Sequence, residues 1–121
     1  MNISNIVSAR MVLMEFVDRE DLGTNLVYWM SKFLSKTDSD YDFYANEMRK
    51  IYNKYSQKSD DENSIFIPSE KVEPFKKAVK ELEETEAEDP GVRFKLSELS
   101  SGLKLSMKQM CPLLDFIDEE K

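Results

Sequence analysis

Residues 24–57 contain neither proline nor glycine, and this uninterrupted run of 34 residues constrains what the rest of the chain can do. Within it Met30, Leu34, Thr37, Tyr41, Tyr44, Met48, Ile51 and Tyr55 follow one another at steps of four and three. That spacing lays them along one side of an α-helix and is incompatible with the alternation of a strand. Unbroken, such a helix would span roughly 51 Å at 1.5 Å per residue, whereas a compact chain of this size has a radius of gyration of about 14 Å. The helix must therefore bend, protrude or find a partner. Its weak point is Ser35-Lys36-Thr37-Asp38-Ser39-Asp40, polar residues of modest or poor helix propensity in mid-stripe. A bend or short break there is as well supported as continuity. Met48 and Ile51 are expected core positions.

A first helix is expected over residues 4–19, capped by Ser4, with Ile3, Ile6, Leu13, Met14 and Val17 near one face and Arg10 and Glu15 outside it. Gly23 should close the region in the left-handed conformation, and Thr24 should cap the long helix. Residues 58–64 form a polar run that reads as a surface loop. Ile65-Phe66-Ile67 before Pro68 reads as an extended strand. A third helix should begin with Glu73 near its cap and Pro74 at its first position, carrying Phe75, Val79 and Leu82 on a narrow apolar stripe. Asp89-Pro90-Gly91 is a turn. After it Val92, Phe94 and Leu96 alternate as in a half-buried strand, and Leu103 and Leu105 repeat the pattern, so a small two-stranded piece is expected there. Ser106 and Gln109 form a capping-box pattern that opens a last helix, bent by Pro112, with Met110, Leu113, Leu114 and Ile117 facing the core. The resulting fold class is mainly α (α+β): one domain over residues 1–121, with a long central helix packed by shorter helices and a small two-stranded β element.

Composition narrows the function. Seventeen basic against 24 acidic residues leave a net charge of −7. That charge repels phosphate backbones and anionic membrane surfaces over a Debye length of about 10 Å, so direct binding to nucleic acid or membrane is disfavoured and a positively charged partner is favoured. The single cysteine, Cys111, has no intramolecular disulfide partner, and seven methionines suit a reducing compartment. Arg10, Glu15, Asp18 and Arg19 interrupt the apolar pattern of the N-terminal region, which therefore reads as neither signal peptide nor membrane span. A cytoplasmic protein is expected. The chain has no histidine, which leaves a serine or cysteine nucleophile without its usual base and a zinc ion without enough ligands. The glycines at 23, 91 and 102 build no phosphate-cradling loop. Asp38, Asp40 and Asp42 resemble the opening of a calcium loop, but the sixth position is Phe43 instead of glycine and the twelfth is Arg49 instead of glutamate. The expectation is a protein that is not an enzyme and uses no metal or cofactor.

Leu26-Val27-Tyr28-Trp29-Met30-Ser31-Lys32 opening the long helix, its Arg49 to Tyr55 end, and Phe94-Lys95-Leu96-Ser97-Glu98-Leu99 ahead of Leu103-Lys104-Leu105-Ser106 carry a resemblance. In the order and apolar spacing of these segments the chain resembles a family of short proteins encoded by phages and prophages of Gram-positive bacteria. The resemblance implies a phage accessory protein working in the bacterial host cytoplasm, and it implies no catalytic residues.

Two acid-rich segments then stand out. Asp38, Asp40 and Asp42 flank Tyr41 and Phe43, and Glu81, Glu83, Glu84, Glu86, Glu88 and Asp89 put six acids into nine residues with no intervening base. Such a run is ordinarily a solvated helix end, although its position at a helix C-terminus opposes the macrodipole. On a helix Asp38 and Asp42 would be about 5–6 Å apart at Cβ, a spacing coarse enough to stand in for backbone phosphates. Tyr41 and Phe43 cannot face the same side, so one should be exposed as an apolar anchor. The candidate partner-binding set is Asp38, Asp40, Tyr41, Asp42, Phe43, Glu81, Glu83, Glu84, Glu86 and Glu88. The leading functional expectation is an acidic inhibitor, a nucleic-acid mimic that occupies the basic nucleic-acid channel of a host defence protein such as a CRISPR effector nuclease. The alternative is a phage assembly or scaffolding protein that forms a homo-oligomer through the long helix.

Overall fold

The structure, a computed structural model, describes residues 1–58 and 64–118. Helix α1 (Ile3–Met14) is entered from Asn2, whose backbone is extended, and not from Ser4. It ends at Met14, earlier than the expected Arg19, because the amides of Glu15 and Phe16 donate to the carbonyls of Val12 and Leu13, three residues back. Such bonds tighten a final turn and stop the α-helical ladder. The turn carries Phe16 against the core and leaves Met14 and Val17 exposed, against expectation. Arg10, expected outside, is buried.

Helix α2 (Thr24–Tyr55) runs without interruption. Gly23 is not left-handed: its φ of −64° and ψ of 146° make it the N-cap, with Thr24 as the first helical residue. The polar run at 35–40 stays helical because its one fully buried member is satisfied locally. The Thr37 hydroxyl donates to the Phe33 carbonyl at 2.7 Å and accepts from Arg10 at 2.9 Å. Tertiary packing overrides weak propensity here. The fully buried face of α2 is Leu26, Met30, Phe33 and Thr37. Past Thr37 no residue of α2 is fully buried, so Met48 and Ile51 are half-covered positions and not core, and Tyr41 is exposed.

Strand β1 (Gln57–Lys58) pairs antiparallel with β2 (Ile65–Phe66), which gives the expected extended segment at 65–66. Of the stretch read as a loop, Lys58 belongs to β1, Ser64 is exposed before β2, and residues 59–63 lie outside the described residues. A 3-10 turn, Ser69–Lys71, leads into α3 (Val72–Glu83). Pro74 is thus the third helical residue and not the first, still within the turn whose amides have no helical acceptor. The Phe75 ring meets Tyr52 and Tyr55 edge-on, at 6.5 and 6.3 Å between centroids, and fastens α3 to the distal half of α2.

The C-terminal third closes the core. Strand β3 (Phe94–Lys95) pairs in parallel with β4 (Ile117–Asp118), and α4 (Leu96–Leu103) takes up Leu96 and Leu103, so the two-stranded piece expected between 92–96 and 103–105 does not form. Leu96, Leu99 and Leu103 follow a helical repeat of three and four, although Leu96 also closes the alternation of Val92 and Phe94 and Leu103 opens that with Leu105; the helix buries Leu99 and Leu103. Gly102 allows the close approach of α4 to α2: a Cβ there would lie 2.7 Å from Leu26 Cδ2. The expected capping box is present, with Gln109 N–H donating to Ser106 Oγ at 3.2 Å and Ser106 N–H to Gln109 Oε1 at 2.9 Å. It opens the short α5 (Met107–Met110), which tightens at Pro112 into a 3-10 segment, Cys111–Phe116. Leu113 and Phe116 are buried there, whereas Leu114, expected to be core, is exposed. Phe33 sits between Phe116 and Phe94, at 4.9 and 5.9 Å between centroids. Among the described residues no helix is long and apolar enough to cross a membrane.

Candidate acidic binding groove

After α3 the chain is held by the N-terminal residues. Ile3 N–H donates to the Thr85 carbonyl at 2.8 Å, Ala87 N–H donates to the Met1 carbonyl at 2.7 Å, and Asn2 and Glu86 form an antiparallel bridge. This places residues 85–90 across the outer side of α2. The expected turn follows. Asp89 Oδ1 accepts from Gly91 N–H at 2.8 Å, and Gly91 takes a φ of +76° that an L side chain rarely adopts. Both Nη atoms of Arg93 donate to the same carboxylate. The Arg93 hydrogen bonds, followed by the Gly91 amide, hold the Asp89 carboxyl well below its ordinary value, at about 2.

Between this segment and α2 lies an open groove of about 640 Å³. Ile3 is at its floor, Lys36, Ser39, Asp40 and Phe43 line the α2 side, and Thr85 to Pro90 form the other side. The structure therefore brings Asp40 and Phe43 of the first acidic segment together with Glu86, Glu88 and Asp89 of the second. Phe43 is 47% exposed and forms an aromatic wall. Asp89 is committed to Arg93, and the Glu86 carboxylate meets the Met1 ammonium at 2.7 Å. Among the described residues neither Asp40 nor Glu88 is ion-paired, so these two carboxylates are available to a ligand.

The other candidate residues lie elsewhere. Asp38 Oδ1 is 3.1 Å from Arg10 Nη2, and the Tyr41 ring lies under the same guanidinium at 4.9 Å, so both are drawn toward α1. Asp42 is exposed and outside the groove. An unbroken helix turns about 100° per residue, so Asp40 points away from Asp38 and Asp42, and the three do not converge on a calcium-sized site. Among the described residues no cluster of three His, Cys, Asp or Glu is placed to hold a metal ion. Glu81 and Glu84 are exposed at the end of α3, and half-buried Glu83 faces Tyr44. Burial, with a smaller contribution from the Glu83 charge, raises the Tyr44 hydroxyl pKa above its ordinary value.

The feature that sequence reasoning missed is the Arg10 cradle. Arg10 Nη1 donates to the Leu34 carbonyl at 2.6 Å and to Thr37 Oγ1 at 2.9 Å. The signal was a pair of polar interruptions, Arg10 in one apolar run and Thr37 in the other, which buried packing would require to meet. Two carboxylates without an ion pair among the described residues, beside an exposed ring, suit a guanidinium or ammonium carried on an apolar stem. No protein-family model, curated protein or solved structure matches this chain.

Proposed function

We propose that this chain is a non-enzymatic phage accessory protein that inhibits a host nucleic-acid-handling defence protein, such as a CRISPR effector nuclease, by placing its acidic groove against that protein's basic nucleic-acid channel. The observation that supports this reading is the convergence of two sequence-distant acidic segments, at Asp40 and at Glu88, on one groove walled by Phe43. A channel built to neutralise phosphates presents arginine and lysine heads. Free carboxylates attract those heads from a distance, and the exposed ring supplies the apolar contact that charge alone lacks. Association is then fast and weakened by salt.

The test is recovery of the partner from host lysate on the immobilised chain, followed by competition of that purified partner with DNA or RNA at low and high salt. Asp40→Asn combined with Glu88→Gln should weaken binding about tenfold or more, equivalent to roughly 1.4 kcal/mol. Phe43→Ala should weaken it as well, whereas Glu81→Gln with Glu84→Gln, which lie outside the groove, should leave it unchanged. Unchanged affinity in the groove variants, or simultaneous binding of chain and nucleic acid, would overturn the reading.

A further inference from the structure

The side of α2 away from the acidic groove carries a second, apolar groove of about 550 Å³. Val7 and Met11 of α1 form one wall, and Tyr41, Ala45, Met48 and Tyr52 of α2 form the other, with Arg49 at the rim. At about 100° per residue, Phe43 lies roughly 160° around the helix from Ala45, so the two grooves use opposite faces. Along this face Tyr41, Ala45, Met48 and Tyr52 recur at steps of four, three and four, the repeat of a helix that packs against another helix, and the stripe is bounded by Asp38, held by Arg10, and Tyr55, which meets Phe75. The fold leaves it open: Met11 is 64% exposed, Tyr41 39% and Tyr52 38%.

We propose that a second copy of this chain covers this face, with the two α2 helices packed antiparallel and crossing between Ala45 and Met48. Antiparallel packing about that point opposes residues whose numbers are symmetric around it. Ala45 then faces Met48 of the second copy, small against large, and Tyr41 faces Tyr52 beside Met11. Both contacts occur twice under the two-fold axis. The charges at the rim select this direction. Asp42 and Arg49 lie on the same flank of the seam, one on each side of the crossing, and neither is ion-paired among the described residues. With 1.5 Å rise per residue, antiparallel packing brings Asp42 of one copy within about 3 Å, measured along the axis, of Arg49 of the other, and does so at both ends. Parallel packing would instead set Asp38 against Asp38 and Ala45 against Ala45. The acidic groove stays open in such a dimer, so this inference is independent of the inhibitor reading.

The test is sedimentation of the full chain across the micromolar range, with a monomer–dimer equilibrium expected. Ala45→Arg should abolish the dimer while its far-ultraviolet circular dichroism spectrum stays that of the parent. Asp42→Arg alone should weaken dimerisation about tenfold, and Asp42→Arg with Arg49→Asp should return it to within about threefold of the parent, as a pairwise coupling requires. In a Cys111→Ser background, a mixture of Ala45→Cys and Met48→Cys chains should form a disulfide between copies faster than Ala45→Cys chains alone. A strict monomer at high micromolar concentration, a charge exchange that does not restore association, or faster cross-linking of Ala45→Cys with itself would overturn the proposal.

Discussion

Arg10 brings a permanent charge into the contact between α1 and α2, and only part of that charge is answered. Nη1 reaches the Leu34 carbonyl and Thr37, Nη2 reaches Asp38, and Nε has no hydrogen-bond partner among the described residues. A buried charge is tolerated only while its bonds are kept. Arg10→Ala should therefore cost about 2–4 kcal/mol in urea denaturation, since it removes the packed stem and leaves Thr37 with an unanswered acceptor. Asp38→Asn should cost less than about 1 kcal/mol, because the Asp38 side chain is 66% exposed and its pairing is screened. Asp89 makes a complementary prediction in pH. Its folded carboxyl sits at about 2, below the ordinary 3.8, so the stability it contributes is present above pH 3.8 and lost as pH falls toward 2. The side chain is 43% exposed, and screening keeps the effect below about 1 kcal/mol. Denaturation midpoints of Asp89→Asn should show a shallower decline than the parent between pH 4 and pH 2.

The two halves of α2 are held very differently, and this governs how much each position matters. Phe33 is enclosed by Phe94 and Phe116, so Phe33→Ala should cost about 3–5 kcal/mol. Met48 is half-covered, and Met48→Ala should cost no more than about 1–2 kcal/mol by the same thermal or urea measurement. Amides of residues 45–55 should also exchange with solvent faster than those of 26–37. The long helix was legible in the sequence because nothing in it breaks a helix, and the capping box at Ser106 and the turn at Asp89 were legible because their chemistry is local. Phe33 was not, since it lies off the stripe through Met30, Leu34 and Thr37, and the helix presents different faces to different neighbours. The helix α4 was hidden by leucines that satisfy two periodicities. It ends at Lys104 with a φ of 52°, where no glycine advertises the left-handed stop. The strand partner of Phe94 is Ile117, too distant in sequence for any hairpin signal to reveal. The acidic segments could be named in advance. Their meeting could not, because it depends on residues 85–87 pairing with the first three residues.

At the scale of the molecule, charge and order along the chain are both uneven. Residues 46–80 hold eight basic and six acidic side chains, so this stretch is slightly positive and the net negative charge belongs to the remainder, where the acidic groove lies. Under the proposed function, this asymmetry would orient a basic partner toward the groove before contact. Closure of the core depends on the segment Cys111–Phe116, whose Leu113 and Phe116 are fully buried. A chain ending after Lys104 should keep most of its helical circular dichroism yet bind the dye ANS, as a state with exposed Phe33 would. The bridge between Met1–Ile3 and Thr85–Ala87 carries the same dependence into synthesis. On the ribosome α1 and α2 emerge early, but the entry to α1 has nothing to pair with until residue 87 has left the exit tunnel, and Phe33 waits longer still for Phe116. At a synthesis rate of about 5–20 residues per second, the nascent chain spends several seconds with its main apolar face bare. That interval, more than the finished fold, is when a chaperone or a second nascent copy would find this protein most receptive.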